Sequence, residues 1–285
     1  MCACRHWNNL LKEDRIWIKK VLADFTDYRE AIFEVGVGRK QTSRLAITYR
    51  LVHSARRRLE ERGLEGRVLV AGATKSGKSS IIHWLCNGNR PLQSYIPTVG
   101  AKWYGKMCKY RQCDVSLAAC EISGSVYLRE LAKSLVKTLD VLILVADPEE
   151  NPEASQECME WFLEYLSETI ARQQKISHTY RYTPVIVLIN DRRRKIETDS
   201  SILPMIEQHV RLRLKKGCVS AMNVSCGDSG ENVDRALGCI LQGVYRSKLL
   251  EEVRILERAN RIEADTAYLR LIESRLWKEG FDTDY

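Results

Sequence analysis

The segment Gly72-Ala73-Thr74-Lys75-Ser76-Gly77-Lys78-Ser79 decides the reading of this chain. It follows the apolar run VLVAG (68–72) and precedes the helix-forming stretch SSIIHWLCNG (79–88). The spacing is GxxxxGK[ST], and both flanks are of the type this motif needs. Gly72 and Gly77 let the backbone curl, so that N–H groups of Thr74, Lys75, Ser76 and their neighbours converge on a diphosphate. The following helix presents its positive end to the same anion. Lys78 then reaches phosphate oxygens, while Ser79, followed by Ser80, offers a hydroxyl to a divalent cation. The competing readings are a chance match in a Gly- and Ser-containing loop, and a loop of the same ancestry that no longer binds nucleotide.

Working outward, four more short runs rich in β-branched residues follow: VSLAAC (115–120), VLILVAD (141–147), VIVLIN (185–190) and AMNVSC (221–226). Near-continuous apolar runs fit strands buried on both faces of a parallel sheet flanked by helices. AKWYGKMCKY (101–110) alternates instead and lies close before VSLAAC, which predicts an antiparallel hairpin at the sheet edge. The expected class is therefore α/β, a P-loop NTPase domain with a mostly parallel sheet, one antiparallel edge strand and helices on both faces.

Helical segments are expected at both ends. Leu10, Leu11, Ile18, Val21, Leu22, Phe25, Tyr28 and Ile32 predict an amphipathic helix over 7–35. Leu45, Tyr49, Val52, Ala55 and Leu59 predict a second over 41–62. The cluster Arg56 to Arg58 sits near its C-terminal end, where cations complement the helix dipole. A helix over 231–245 closes the nucleotide domain, and a long charged helix runs from 247 to about 278. Three parts result: a helical extension over 1–66, the P-loop domain over 67–246, and a C-terminal helix and tail over 247–285.

With these residues in view, the chain resembles the Ras superfamily of small GTPases, and most closely its ADP-ribosylation-factor-like branch, over about residues 67–246. Ile96-Pro97-Thr98-Val99-Gly100 is similar to the first switch of that branch, which implies that Thr98 senses Mg²⁺ and the γ-phosphate. Glu121-Ile122-Ser123-Gly124-Ser125 stands where the family has DxxGQ. The resemblance implies that Glu121 holds Mg²⁺ through water and that Gly124 turns its N–H to the γ-phosphate. Ser125 replaces the glutamine that orients the attacking water, which implies slow or absent hydrolysis.

Guanine is read in the family by NKxD, and here the residues are Asn190-Asp191-Arg192-Arg193. Asn190 is kept, but Arg193 offers only donors where an aspartate would accept the guanine N–H groups. Asp191 takes that role only if the loop slips. Ser225-Cys226-Gly227 is similar to the final base-contacting loop, and Asp228 to Val233 resembles the entry into the last helix. The branch's myristoylated glycine at position 2 is absent, since Cys2 stands there.

The resemblance thus implies GTP/GDP and Mg²⁺ as ligands, the metal held by Ser79 and Thr98, with Glu121 acting through water. Two functions stand side by side: a regulatory GTP-binding protein that presents ordered switches to effectors, and a pseudo-GTPase scaffold in a protein assembly. An ATP-dependent phosphotransferase is a third reading, and segments 96–100 and 225–233 have the wrong character for it.

Composition agrees with a folded, non-membrane chain. The 285 residues are 45% hydrophobic and 29% charged, and no apolar run approaches the ~20 residues that a spanning helix requires. The first fifteen residues lack a secretory core, so the cytoplasm is the expected compartment. Ten cysteines are scattered without zinc-site spacing and read mainly as small buried hydrophobes. Cys2 and Cys4, beside Arg5 and Trp7, carry acylation as an alternative, and with it peripheral membrane association. The net charge of +8 reads as solvated faces, because no nucleic-acid motif or stacking pattern accompanies it.

Overall fold

A computed structural model describes residues 39–88, 97–147, 152–176, 183–190, 202–214, 219–225 and 232–260. In order, the elements are α1 (Arg39–Arg62), β1 (Leu64–Gly72), α2 (Lys78–Asn87), β2 (Ala101–Tyr110) and β3 (Cys113–Ile122). A 3₁₀ turn (Val126–Leu128) leads into α3 (Arg129–Val136), followed by β4 (Val141–Ala146), α4 (Pro152–Ile176) and β5 (Val185–Asn190). Then come α5 (Ile202–Leu214), β6 (Val219–Val224) and α6 (Val233–Asn260). The expected helix over 7–35 and the tail beyond 260 lie outside the described residues, as do Asp191, Arg193 and Cys226.

The six strands form one sheet in the order β2-β3-β1-β4-β5-β6. β2 and β3 pair antiparallel, and every other pair is parallel. The run VIVLIN is buried at every position of β5, and VLILVA at all but its last residue in β4. Burial on both faces requires helices on both faces. On one side Leu69, Cys120, Leu142 and Val187 join a core with Ala132 of α3, Phe162 and Leu163 of α4 and Val210 of α5. On the other, α6 comes so close to β1 and β3 that a Cβ on Gly66 would lie 2.7 Å from Val244 and 2.8 Å from Leu117.

The alternating edge strand β2 turns Tyr104 and Lys106 toward the helix-covered face, where Lys106 Nζ donates to the carbonyl of Leu85 in α2 at 2.6 Å. Its opposite face leaves Trp103 and Met107 exposed. The tight turn to β3 is made at Arg111, whose φ of 55° is left-handed.

Two compact units divide the chain: one runs from Gly63 to Lys248, and the other holds α1 together with the part of α6 from Leu249 onward. In the first, Asp140 is fully buried before β4 and accepts from the Arg67 amide at 2.9 Å and the Ser247 hydroxyl at 3.2 Å. Lys248 Nζ lies 3.3 Å from the same carboxylate. In the second, Arg58 pairs with Glu252 at 2.8 Å, and Leu51, Val52, Ala55 and Leu59 of α1 are buried.

Several boundaries differ from the sequence expectation, and β3 runs over Cys113–Ile122 rather than 115–120. β1 begins at Leu64, where Leu64 pairs with Val115 and extends the ladder four residues ahead of Val68. β6 begins at Val219 and ends at Val224, because Val219 and Ser220 complete the pairing with Val185 and Ile186. The expected helices over 231–245 and from 247 are one helix, α6, since neither Gly nor Pro falls between Val244 and Asn260.

Candidate functional site

At the C-terminal end of β1 the chain turns through 73–77 and enters α2 at Lys78. The cap residue Gly77 has φ 93°, and a Cβ there would collide with Asn190 Nδ2 at 2.2 Å. Only glycine fits. No side chain caps α2 and its first turn holds no acidic residue. Its leading N–H groups and positive end therefore have no side chain of their own to satisfy them.

Lys78 is buried, and its ammonium donates to the carbonyls of Gly72 at 3.1 Å and Ala73 at 2.7 Å. Burial lowers its pKa, while the neighbouring Cys158 and Glu121 act in the opposite direction. A cation held with its charge partly uncompensated in a low dielectric gains from any anion that arrives.

Glu121 closes the other side of the loop. Only 1% exposed, it receives on Oε1 the hydroxyls of Ser79 at 2.5 Å and Thr98 at 2.8 Å, and on Oε2 the hydroxyl of Tyr104 at 3.2 Å. Ser79 Oγ and Thr98 Oγ1 are themselves 3.3 Å apart. The three residues assigned to metal by sequence are thus gathered at one point. Burial, followed by the charge and hydrogen bond of Glu121, pushes the Tyr104 phenol up to about 12.

The segments on either side of that point are linked, with the Ser123 amide donating to the Gly100 carbonyl at 2.9 Å. Gly124 lies against the loop, where an added Cβ would be 2.3 Å from the Thr74 nitrogen. Ser125 accepts the Leu128 amide at 3.1 Å, which places it at the entry to the 3₁₀ turn. Thr74 and Lys75 are exposed, while Ser80 on α2 is half-buried.

Asn190, at the end of β5, is 1% exposed and donates through Nδ2 to the Ser76 carbonyl at 3.1 Å. Among the described residues, its Oδ1 and the Ser76 hydroxyl have no hydrogen-bond partner. Ser225 is buried just after β6.

The structure adds two residues to the site. Tyr104 reaches Glu121 because β2 and β3 pair Lys102 with Glu121 and Tyr104 with Ala119, a diagonal relation on one face. Alternation in β2 placed Tyr104 opposite Trp103, but only the register brings it to the carboxylate. Cys158 of α4 lines a cavity of about 350 Å³ beside the loop, with Gly72, Thr74, Gly124 and Phe162. Burial pushes its thiol up, and Lys78 pulls it back. No sequence signal marks that cysteine.

Among known proteins, no family model matches this chain and no curated protein matches it. Among the described residues, no helix is long and apolar enough to cross a membrane, and no group of three or more His, Cys, Asp or Glu could hold a metal by itself.

Proposed function

We propose that this chain is a divergent small GTPase of the ADP-ribosylation-factor-like kind, which holds the phosphates of GTP or GDP on residues 72–79 and acts as a regulatory protein. The observation that carries the proposal is the uncapped start of α2 with the buried Lys78 ammonium beside it. Together they are an arrangement of the kind that attracts a phosphate.

The donor set also suits Mg²⁺, a hard cation that takes oxygen ligands. Ser79, Thr98 and Glu121 would hold it, and its contribution is to neutralise charge between the β- and γ-phosphates. On this reading Lys78 takes phosphate oxygens, Gly124 brings backbone close to the loop, and Asn190 braces the loop from beneath. Segments 97–100 and 121–125 are joined by the hydrogen bond between Ser123 and Gly100, and on this reading they respond together to the third phosphate. They present the result to protein effectors. Ser125 cannot act as the glutamine does, so hydrolysis is slow unless a partner supplies the missing group.

A second reading, a pseudo-GTPase scaffold, is favoured by one observation. Lys78 donates to two carbonyls and Glu121 accepts from three hydroxyls, so both side chains have partners within the chain without a ligand.

Purifying the full chain, denaturing it and chromatographing the supernatant separates the two. Guanine nucleotide released in near-equal amount to protein supports the GTPase. Nucleotide-free protein that also fails to take up GTP or GDP with Mg²⁺ supports the scaffold.

A further inference from the structure

Away from the loop, the helix-covered face of β2 carries a second chemical cluster. Lys106 and Cys108 are two residues apart on the strand and therefore share that face. The Lys106 ammonium reaches the last turn of α2, where it donates to the Leu85 carbonyl at 2.6 Å. Cys86 is the next residue of that turn. Both cysteines are unbridged and half-buried. Burial pushes both thiols up, and Lys106 pulls both back. Cys108 adds to the rise at Cys86, so the two sulfurs and the ammonium lie within range of one another's charge. Little holds the sulfurs where they are. Cys108 Sγ has only a long contact of 3.7 Å to the Val115 carbonyl. α2 ends at Gly88, where an added Cβ would meet nothing within 4 Å, which leaves the helix end room to adjust.

We propose that Cys86 and Cys108 are a dithiol modification site, closed to a disulfide by exchange with a small oxidised thiol such as glutathione disulfide, with Lys106 steadying the attacking thiolate. The site stands whether or not nucleotide binds. One cysteine thiolate attacks a sulfur of glutathione disulfide, the S–S bond breaks, and the first glutathione leaves with the proton that the cysteine gave up. The second cysteine then attacks the protein sulfur of the mixed disulfide and expels the second glutathione. Two protein thiols are oxidised and one small disulfide is reduced to two thiols, so the exchange balances without a further oxidant. A cation beside a thiol favours the thiolate, which is the nucleophile in both steps. The ring so closed includes Thr98, and oxidation ties the segment that carries it to the elements on either side.

The test holds the full chain in buffers of graded glutathione and glutathione disulfide, blocks remaining thiols with N-ethylmaleimide and digests without reductant. Mass spectrometry should find one peptide pair joined through Cys86 and Cys108 in the oxidising buffers, lost again in excess glutathione. Separate glutathione adducts on the two cysteines, or both recovered as maleimide adducts, would overturn the proposal. The wild type alone decides this, so a variant that fails to fold leaves the test intact. Cys86→Ser should hold Cys108 as a persistent glutathione adduct, and Cys108→Ser should do the same for Cys86. Lys106→Gln should slow closure by about tenfold, while Lys106→Arg stays within about threefold of the wild type. Equal rates for those two variants would overturn the part given to the ammonium.

Discussion

Asn190 Nδ2 donates to the Ser76 carbonyl at 3.1 Å, joining the end of β5 to the middle of the loop between β1 and α2. The bond spans 114 positions of sequence and is buried at both ends. It makes the loop's curvature a property of the sheet rather than of the loop alone. Asn190→Ala strands a buried carbonyl and should cost about 1–3 kcal/mol of stability. Asn190→Asp sets a carboxylate against that carbonyl and should cost more than the alanine. Urea denaturation of the three proteins gives the ranking, and equal midpoints would show that the bond braces nothing.

Gly124 and Thr74 set a second constraint. With 2.3 Å between an added Cβ and the Thr74 nitrogen, and 2.5 Å to the Ala73 carbonyl carbon, backbone must move to admit alanine. Gly124→Ala is expected to destabilise the chain by about 1–3 kcal/mol, the usual cost of overpacking. Thermal unfolding of the variant beside the wild type measures it. Gly88→Ala serves as the control for open space, since nothing lies within 4 Å there, although its φ of 67° carries its own strain.

Tyr104 supplies a pH dependence with a definite sign. Its folded pKa is raised from 10.0 to about 12 by burial first and by Glu121 second. A raised pKa means that its contribution to stability is complete below pH 10 and is lost as pH rises from about 10 through 12. Stability of the wild type should fall across that window more steeply than that of Tyr104→Phe, followed by denaturant midpoint against pH. Parallel curves would contradict the Tyr104–Glu121 bond.

Much of this arrangement was legible in the residues, for reasons that differ from element to element. VLILVA and VIVLIN read as buried strands because no polar residue interrupts them, and Gly72 to Ser79 reads as an anion loop because its glycines and lysine have fixed spacing. The start of β1 was hidden, because Glu65, Gly66 and Arg67 disguise three strand positions whose pairing comes from β3. The last helix runs on past the expected junction, because Tyr245 to Lys248 are compatible with helix and neither Gly nor Pro interrupts them. Tyr104 and Cys158 were not legible as site residues at all. Their contacts depend on strand register and on where α4 packs, which are tertiary facts.

Ser125 offers a gain-of-function test of the proposed chemistry. If the position is the one that fails to orient water, Ser125→Gln should raise the single-turnover hydrolysis of GTP by about tenfold or more, with affinity nearly unchanged. An unchanged rate would mean that the missing glutamine is not what limits turnover.

On the proposed reading the loop, α2 and Lys78 bind nucleotide phosphates. Isothermal titration of the full chain with GTP, GDP and ATP at matched Mg²⁺ addresses it most directly. GTP and GDP are expected to bind with Kd of about 1 µM or tighter, which is roughly 8 kcal/mol or more of binding energy. Lys78→Ala should weaken both by about a hundredfold, because it removes a buried, charge-assisted contact. Absence of binding by all three nucleotides, in protein shown to be folded, would contradict it.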